Sequence, residues 1–135
     1  MAAFDPAQGG ALSQAGTFNN NVVSMAAGVA ALRDVLTPQA LIALNDRGDE
    51  LRDRLNVTFA GAGLPMTVMG VGSMMNVHTP DDRWVALFFH AMLAAGFYLA
   101  QRGMIALALD VTDEQLDAFA VAVERWAADP AGAGR

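Results

Sequence analysis

The apolar residues of this chain recur with a period that changes along its length. From Asn20 or Asn21, a strong N-cap, Met25, Ala26, Val29 and Leu32 recur at helical spacing to about Leu36. Thr37-Pro38 then restarts a helix, with a capping hydroxyl and a proline at the first helical position. Leu41, Leu44, Leu51, Leu55 and Phe59 follow on one face with Gly48 among them, while Asp46, Asp49, Glu50, Asp53 and Arg54 lie opposite. That is an amphipathic helix with one side on a core, ended by Gly61 and Gly63.

Across Pro65–Thr79 the period shortens. Met66, Val68, Val71, Met74, Asn76 and His78 stand among small and β-branched residues, and Gly70 and Gly72 interrupt them. The pattern predicts two short strands, or one strand bent at the glycines. Asp81 or Asp82 opens a helix to about Ala95 that is apolar on nearly every side, hence buried or at an interface. Phe97–Leu99 and Met104–Leu109 are strand candidates around a Gln101-Arg102-Gly103 turn. Thr112-Asp113-Glu114-Gln115 is a capping box, launching a last helix with Leu116, Phe119, Ala120 and Val123 inward. Residues 1–15 show no period, and 130–135 form a Gly/Ala tail expected to be disordered. The sum is an α/β chain of α+β-like character: a small mixed or antiparallel sheet with helices packed against it.

Composition sharpens this picture. With 54% hydrophobic and only 16% charged residues in 135, either a partner covers much of the surface or part of a larger fold is missing. The net charge is −6 and the eight cationic residues are all arginines, scattered among fourteen acids. No basic stripe exists for a nucleic-acid backbone. Without cysteine there are no disulfides or thiolate metal sites. Met1–Asp5 lacks the charged start of a secretory signal, so a cytoplasmic location is expected. Trp84–Ala100 is apolar but falls short of the roughly 20 residues of a membrane span, and Gly96-Phe97-Tyr98 reads as a helix ending.

The candidate chemistry is sparse. In Gly16-Thr17-Phe18-Asn19-Asn20-Asn21, a glycine permits close approach of the backbone, a threonine supplies a hydroxyl, and a helix with unpaired N–H groups follows. The combination suits a phosphate, though three asparagines before a helix also read simply as a cap. His78 and His90 have no partner at metal-ligand spacing and read as structural residues. Ser73 and His78 do not form a nucleophile–base pair, and Gly70-x-Gly72 lacks the third glycine of a dinucleotide site. Met66, Met69, Met74 and Met75 read as adaptable core packing.

A collinear set of motifs adds to this. It comprises Gly16–Asn21, Met25-Ala26-Ala27-Gly28, and the helix Leu44-Asn45-x-Arg47-Gly48-x-x-Leu51-Arg52-x-x-Leu55-Asn56. It continues with Gly70-x-Gly72-Ser73-Met74-x-Asn76-x-His78, Leu87-Phe88-Phe89-His90, Arg102-Gly103 and Leu107-x-Leu109. Together these resemble the glutamate-1-semialdehyde aminomutase-like branch of the class III aminotransferases, enzymes of fold type I that use pyridoxal 5′-phosphate (PLP). The resemblance covers nearly the whole chain and implies the last third of such an enzyme. Residues 1–36 would end the large, cofactor domain, and 37–129 would form the small domain.

It further implies that Gly16, Thr17 and Phe18 contact the PLP phosphate of a partner subunit across a homodimer, with Thr17 giving the hydroxyl. Arg102 would meet the carboxylate of a small amino or keto acid, although Ala100-Gln101 departs from the Ser-Pro often found there. No metal is implied. In the family a lysine amine holds the cofactor as a Schiff base, and this chain has no lysine. The resemblance therefore implies an amino-transfer or aminomutase scaffold that is inactive alone, paired with a complementary N-terminal part. A non-catalytic interaction module, binding a full-length paralogue through Trp84–Ala95, is the competing reading. Borohydride treatment of the chain mixed with PLP is expected to add cofactor mass only at the α-amino group; a modified internal residue found by mass spectrometry would overturn this.

Overall fold

A computed structural model describes residues 2–5, 7, 9–12, 16–17 and 21–130. The chain divides into two compact units, Met1–Pro38 and Gln39–Arg135.

In the first unit, Asn21 is the N-cap of α1 (Val22–Ala30): its extended backbone turns into the helix and its Oδ1 accepts the Ser24 N–H at 3.1 Å. The helix does not run regularly to Leu36. Ala31–Val35 is a π-helical turn, closed by the Leu36 N–H on the Ala31 carbonyl at 2.7 Å. Pro38 biases Thr37 away from helical geometry, so the chain must leave the helix just there. None of the residues of α1 is buried, and Val22, Val23, Met25 and Val29 are all exposed.

The second unit begins with α2 (Pro38–Gly61), started by the proline as the sequence predicts. Leu44, Gly48, Leu51, Leu55 and Phe59 form its buried stripe. Leu41 shares the period but is exposed, because core packing begins only at Leu44. Two strands follow, β1 (Thr67–Val71) and β2 (Met74–His78), paired antiparallel with Val68 opposite Val77. The Gly72-Ser73 turn joins them, with Gly72 at φ +56°, a conformation costly for any residue with a side chain.

Next comes α3 (Asp82–Ala94), capped by Asp81, whose carboxylate accepts the Arg83 N–H at 3.0 Å. The Arg83 guanidinium, foremost, and its backbone N–H hold the Asp81 carboxyl below its ordinary value. The cap's contribution is therefore complete above the usual carboxylate range and is lost as pH falls through the depressed value. The third strand, β3 (Met104–Ala106), pairs with β2 in the sheet order β1-β2-β3. Phe97–Leu99 is not a strand: the Phe97 N–H closes the end of α3 on Met92 O, and Ala100 N–H turns back to Met104 O. Met104–Leu109 is a strand only to Ala106, with one further bond from Leu107 N–H to Ser73 O. The capping box forms as predicted and opens α4 (Asp113–Ala128).

One face of the sheet packs on the helices. Val68, Met75, Val77 and Ile105 meet Leu55, Phe59, Phe88, Met92, Phe119, Val123 and Trp126 in a single core. Phe59, Phe88 and Trp126 stand edge to face, with ring centroids 5.2–6.4 Å apart. Met66 and Met75 are core residues, but Met69 and Met74 point outward, because strand alternation puts them on the bare face. The long apolar run is a thirteen-residue helix that buries only Phe88 and Met92. Among the described residues no single helix is long and apolar enough to cross a membrane.

The polar side of α2 is not simply solvated. Asn45, Asp49, Arg52 and Asn56, spaced by four, three and four residues, stitch the hairpin to the helix. Asn45 Oδ1 accepts Ser73 N–H at 3.0 Å and Asp49 Oδ1 accepts Gly72 N–H at 3.0 Å. Arg52 pairs with Asp49 and reaches Gly70 O, while Asn56 both donates to Val68 O at 2.9 Å and accepts its N–H at 2.7 Å. Between these bonds Gly48 lies so close to the turn that a Cβ would strike Gly72 O and stand 2.8 Å from Ser73 Cα. Gly48→Ala gains about 1 kcal/mol of helix propensity. We expect backbone overpacking to outweigh it, for a net loss of about 2 kcal/mol in urea denaturation.

Candidate functional site

Gly16 and Thr17 are both exposed, and Phe18, the third residue of the expected phosphate contact, lies outside the described residues. The Asn21 Oδ1 accepts the Ser24 N–H and so acts as the cap of α1. Val22 and Val23 occupy the first helical positions, whose N–H groups no helical carbonyl can reach. An exposed hydroxyl and the amides of a helix start thus lie in one short stretch of sequence, chemically suited to an anion.

Arg102 belongs to the second unit. It is exposed, and its Nη2 lies 3.4 Å from Met104 Sδ. Arg33, Arg47, Arg52, Arg54 and Arg83 are each ion-paired to carboxylates. Arg54, for instance, links α2 to both Asp117 and Glu124 of α4 at 2.8 and 2.9 Å. No such pair engages Arg102 among the described residues. It lines a groove of about 460 Å³ with Asn76, His78, Thr79, Asp82 and Gln101, between the end of β2, the start of α3 and the turn before β3. Neither histidine is a buried structural residue: both are exposed, His78 in this groove and His90 with its ring 5.1 Å from that of Phe89. No group of three or more histidines and carboxylates is placed to hold a metal among the described residues.

No family model matches the chain. Individual relatives do. The β-phenylalanine transaminase of Variovorax paradoxus is 40% identical over 136 residues, covering 91% of this chain and 31% of the relative. Its crystal structure superposes with a TM-score of 0.83 over 93% of this chain and 32% of that one. The homologues of this chain are class III aminotransferases. A solved transaminase with PLP bound is 28% identical, with a TM-score of 0.80 over 95% of this chain and 32% of its own. A glutamate-1-semialdehyde 2,1-aminomutase of Desulfosudis oleivorans is 32% identical over 123 residues, 80% of this chain and 29% of the relative.

The chain spans about a third of the length of the relatives it matches, and the match is to their C-terminal third. PLP is the family's cofactor. The mixed α/β fold expected from the pattern is that of the PLP transaminases.

The hairpin-stitching stripe of Asn45, Asp49 and Asn56 went unrecognised from sequence, although its spacing of four and seven residues was there to read. Because among the described residues Arg102 bonds only a sulfur while Asn56 serves two backbone groups, their substitutions should separate. Arg102→Ala is expected to change stability by less than about 0.5 kcal/mol in urea denaturation. Asn56→Ala should cost about 2 kcal/mol.

Proposed function

We propose that the chain is the C-terminal portion of a PLP-dependent aminotransferase or aminomutase-like protein, and that it is inactive by itself. The observation that carries this reading is a collinear 40% identity to a transaminase in a chain that has no lysine. Residues 1–36 are assigned to the end of the cofactor domain and 37–129 to the small domain.

The residues present suit one end of the cofactor. Gly16 and Thr17, both exposed and shortly before the start of α1 in sequence, would hold its phosphate, contributed across a homodimer to a partner subunit's site; Phe18 completes the segment. No side chain here provides an amine for the other end. When bound, the cofactor supplies the electron sink for moving an amino group. Arg102 is assigned the carboxylate of a small amino or keto acid, a bidentate pairing that orients the substrate. Relatives of both the transaminase and the aminomutase kind leave the choice between transfer and internal migration to experiment.

The interaction-module reading draws on one observation. Val22, Val23, Met25, Val29, Leu32 and Val35 are exposed together, more apolar surface than the Leu87 and Leu93 that α3 exposes. This is compatible with pairing to a complementary part of an enzyme.

Replacing the C-terminal third of the Variovorax transaminase with this chain tests the assignment. The chimera should fold as a dimer, keep PLP through dialysis and transaminate. Thr17→Val in it should weaken PLP binding about tenfold, equivalent to one charge-assisted hydrogen bond. Arg102→Ala should raise KM for an amino acid more than for a plain amine. A folded, PLP-loaded chimera indifferent to both substitutions would sink the site assignment.

A further inference from the structure

His78 lines the same groove as a residue already given a role. β2 and β3 pair with Asn76 opposite Met104, and the Val77 N–H bonds Gly103 O at 3.0 Å. That bond ties the Gln101–Gly103 turn to the end of β2, and His78 and Arg102 line the same groove there. Both side chains are exposed. The guanidinium has no carboxylate partner among the described residues, and an imidazole presents at least one N–H donor in either protonation state. Asn76, Thr79 and Gln101 add further polar atoms to the walls, and Val77, Val85 and Ala86 add an apolar floor. Asp82, on the α3 side, brings the groove's one negative charge.

We propose that His78 and Arg102 together form a carboxylate-reading subsite, with His78 the second donor to the anion that Arg102 attracts. The proposal rests on the assignment of Arg102 to a substrate carboxylate and goes beyond it by naming the partner residue. Two donors in one groove bind a carboxylate's two oxygens with a set orientation, which a single mobile arginine does not impose. The apolar floor suits a short carbon chain behind the carboxylate. Asp82 opposes the anion, so it limits affinity for simple carboxylates and tolerates a ligand that also carries an ammonium group.

The test is an NMR titration of the full chain with propanoate, using propanamide as the neutral control of the same shape. The His78 ring and Arg102 Nε–H signals should shift saturably with propanoate and not with propanamide, while His90, outside the groove, stays still. Arg102→Ala should abolish binding, His78→Gln should weaken it about three- to tenfold, and Asp82→Asn should strengthen it about twofold or more. These positions are exposed, and unchanged circular dichroism checks that each variant keeps its fold. Arg102 shifting with a silent His78, or a His78→Gln variant of unchanged affinity, overturns the paired subsite alone. If neither residue responds, or propanamide acts equally, the Arg102 assignment fails as well.

Discussion

The second unit depends on how closely the β1–β2 hairpin can approach α2. That approach is set by two glycines, Gly48 on the helix and Gly72 in the turn, whose missing side chains leave room for backbone against backbone. Such proximity desolvates the turn's N–H groups, which then need partners within the protein. Asn45 and Asp49 supply them at Ser73 and Gly72, and Asn56 repeats the pattern two turns on at Val68. Steric permission and polar satisfaction are therefore one constraint. A helix lacking either would hold the hairpin farther out, and Val68, Met75 and Val77 would lose the packing that buries them.

Once the hairpin is seated, the rest of the unit has little freedom. Strand alternation sends Val68, Met75, Val77 and Ile105 toward Phe59, Phe88 and Trp126. The same alternation leaves Met69, Asn76, His78 and Met104 on the other face. The turn before β3 is tied to β2 through the Val77–Gly103 bond, so Arg102 is carried by a backbone anchored in the core. An apolar end of that bare face, with Val71 paired to Met74, follows from register alone.

Much of this was legible. Asn21, Pro38, Asp81 and Thr112 each mark a helix start by local chemistry, because a cap acts on amides two or three residues away. Failures arose where a non-local partner decided. Phe97–Leu99 has strand-like residues, but its backbone groups go to the end of α3 and to the turn before β3. Asp49 and Arg52 look like a solvated face until a hairpin lies across them. Met69 and Met74 carry the same apolar label as Met66 and Met75 and differ only in which side of the pleat they occupy.

By itself the sequence determined the helix starts, the buried stripe of α2, extended chain interrupted at Gly70 and Gly72 and, through collinear motifs, a resemblance to a PLP-dependent family in a chain without lysine. Each of those rests on residue type and short spacing. Only the tertiary structure decided that the polar stripe of α2 is a seam, that His78 is exposed in the groove Arg102 lines, and that among the described residues five arginines are ion-paired while Arg102 is not. The physical reason is the same in each case. Caps and periods act within a turn of helix or along a strand, whereas which groups meet across 20 or more residues is set by how the elements pack.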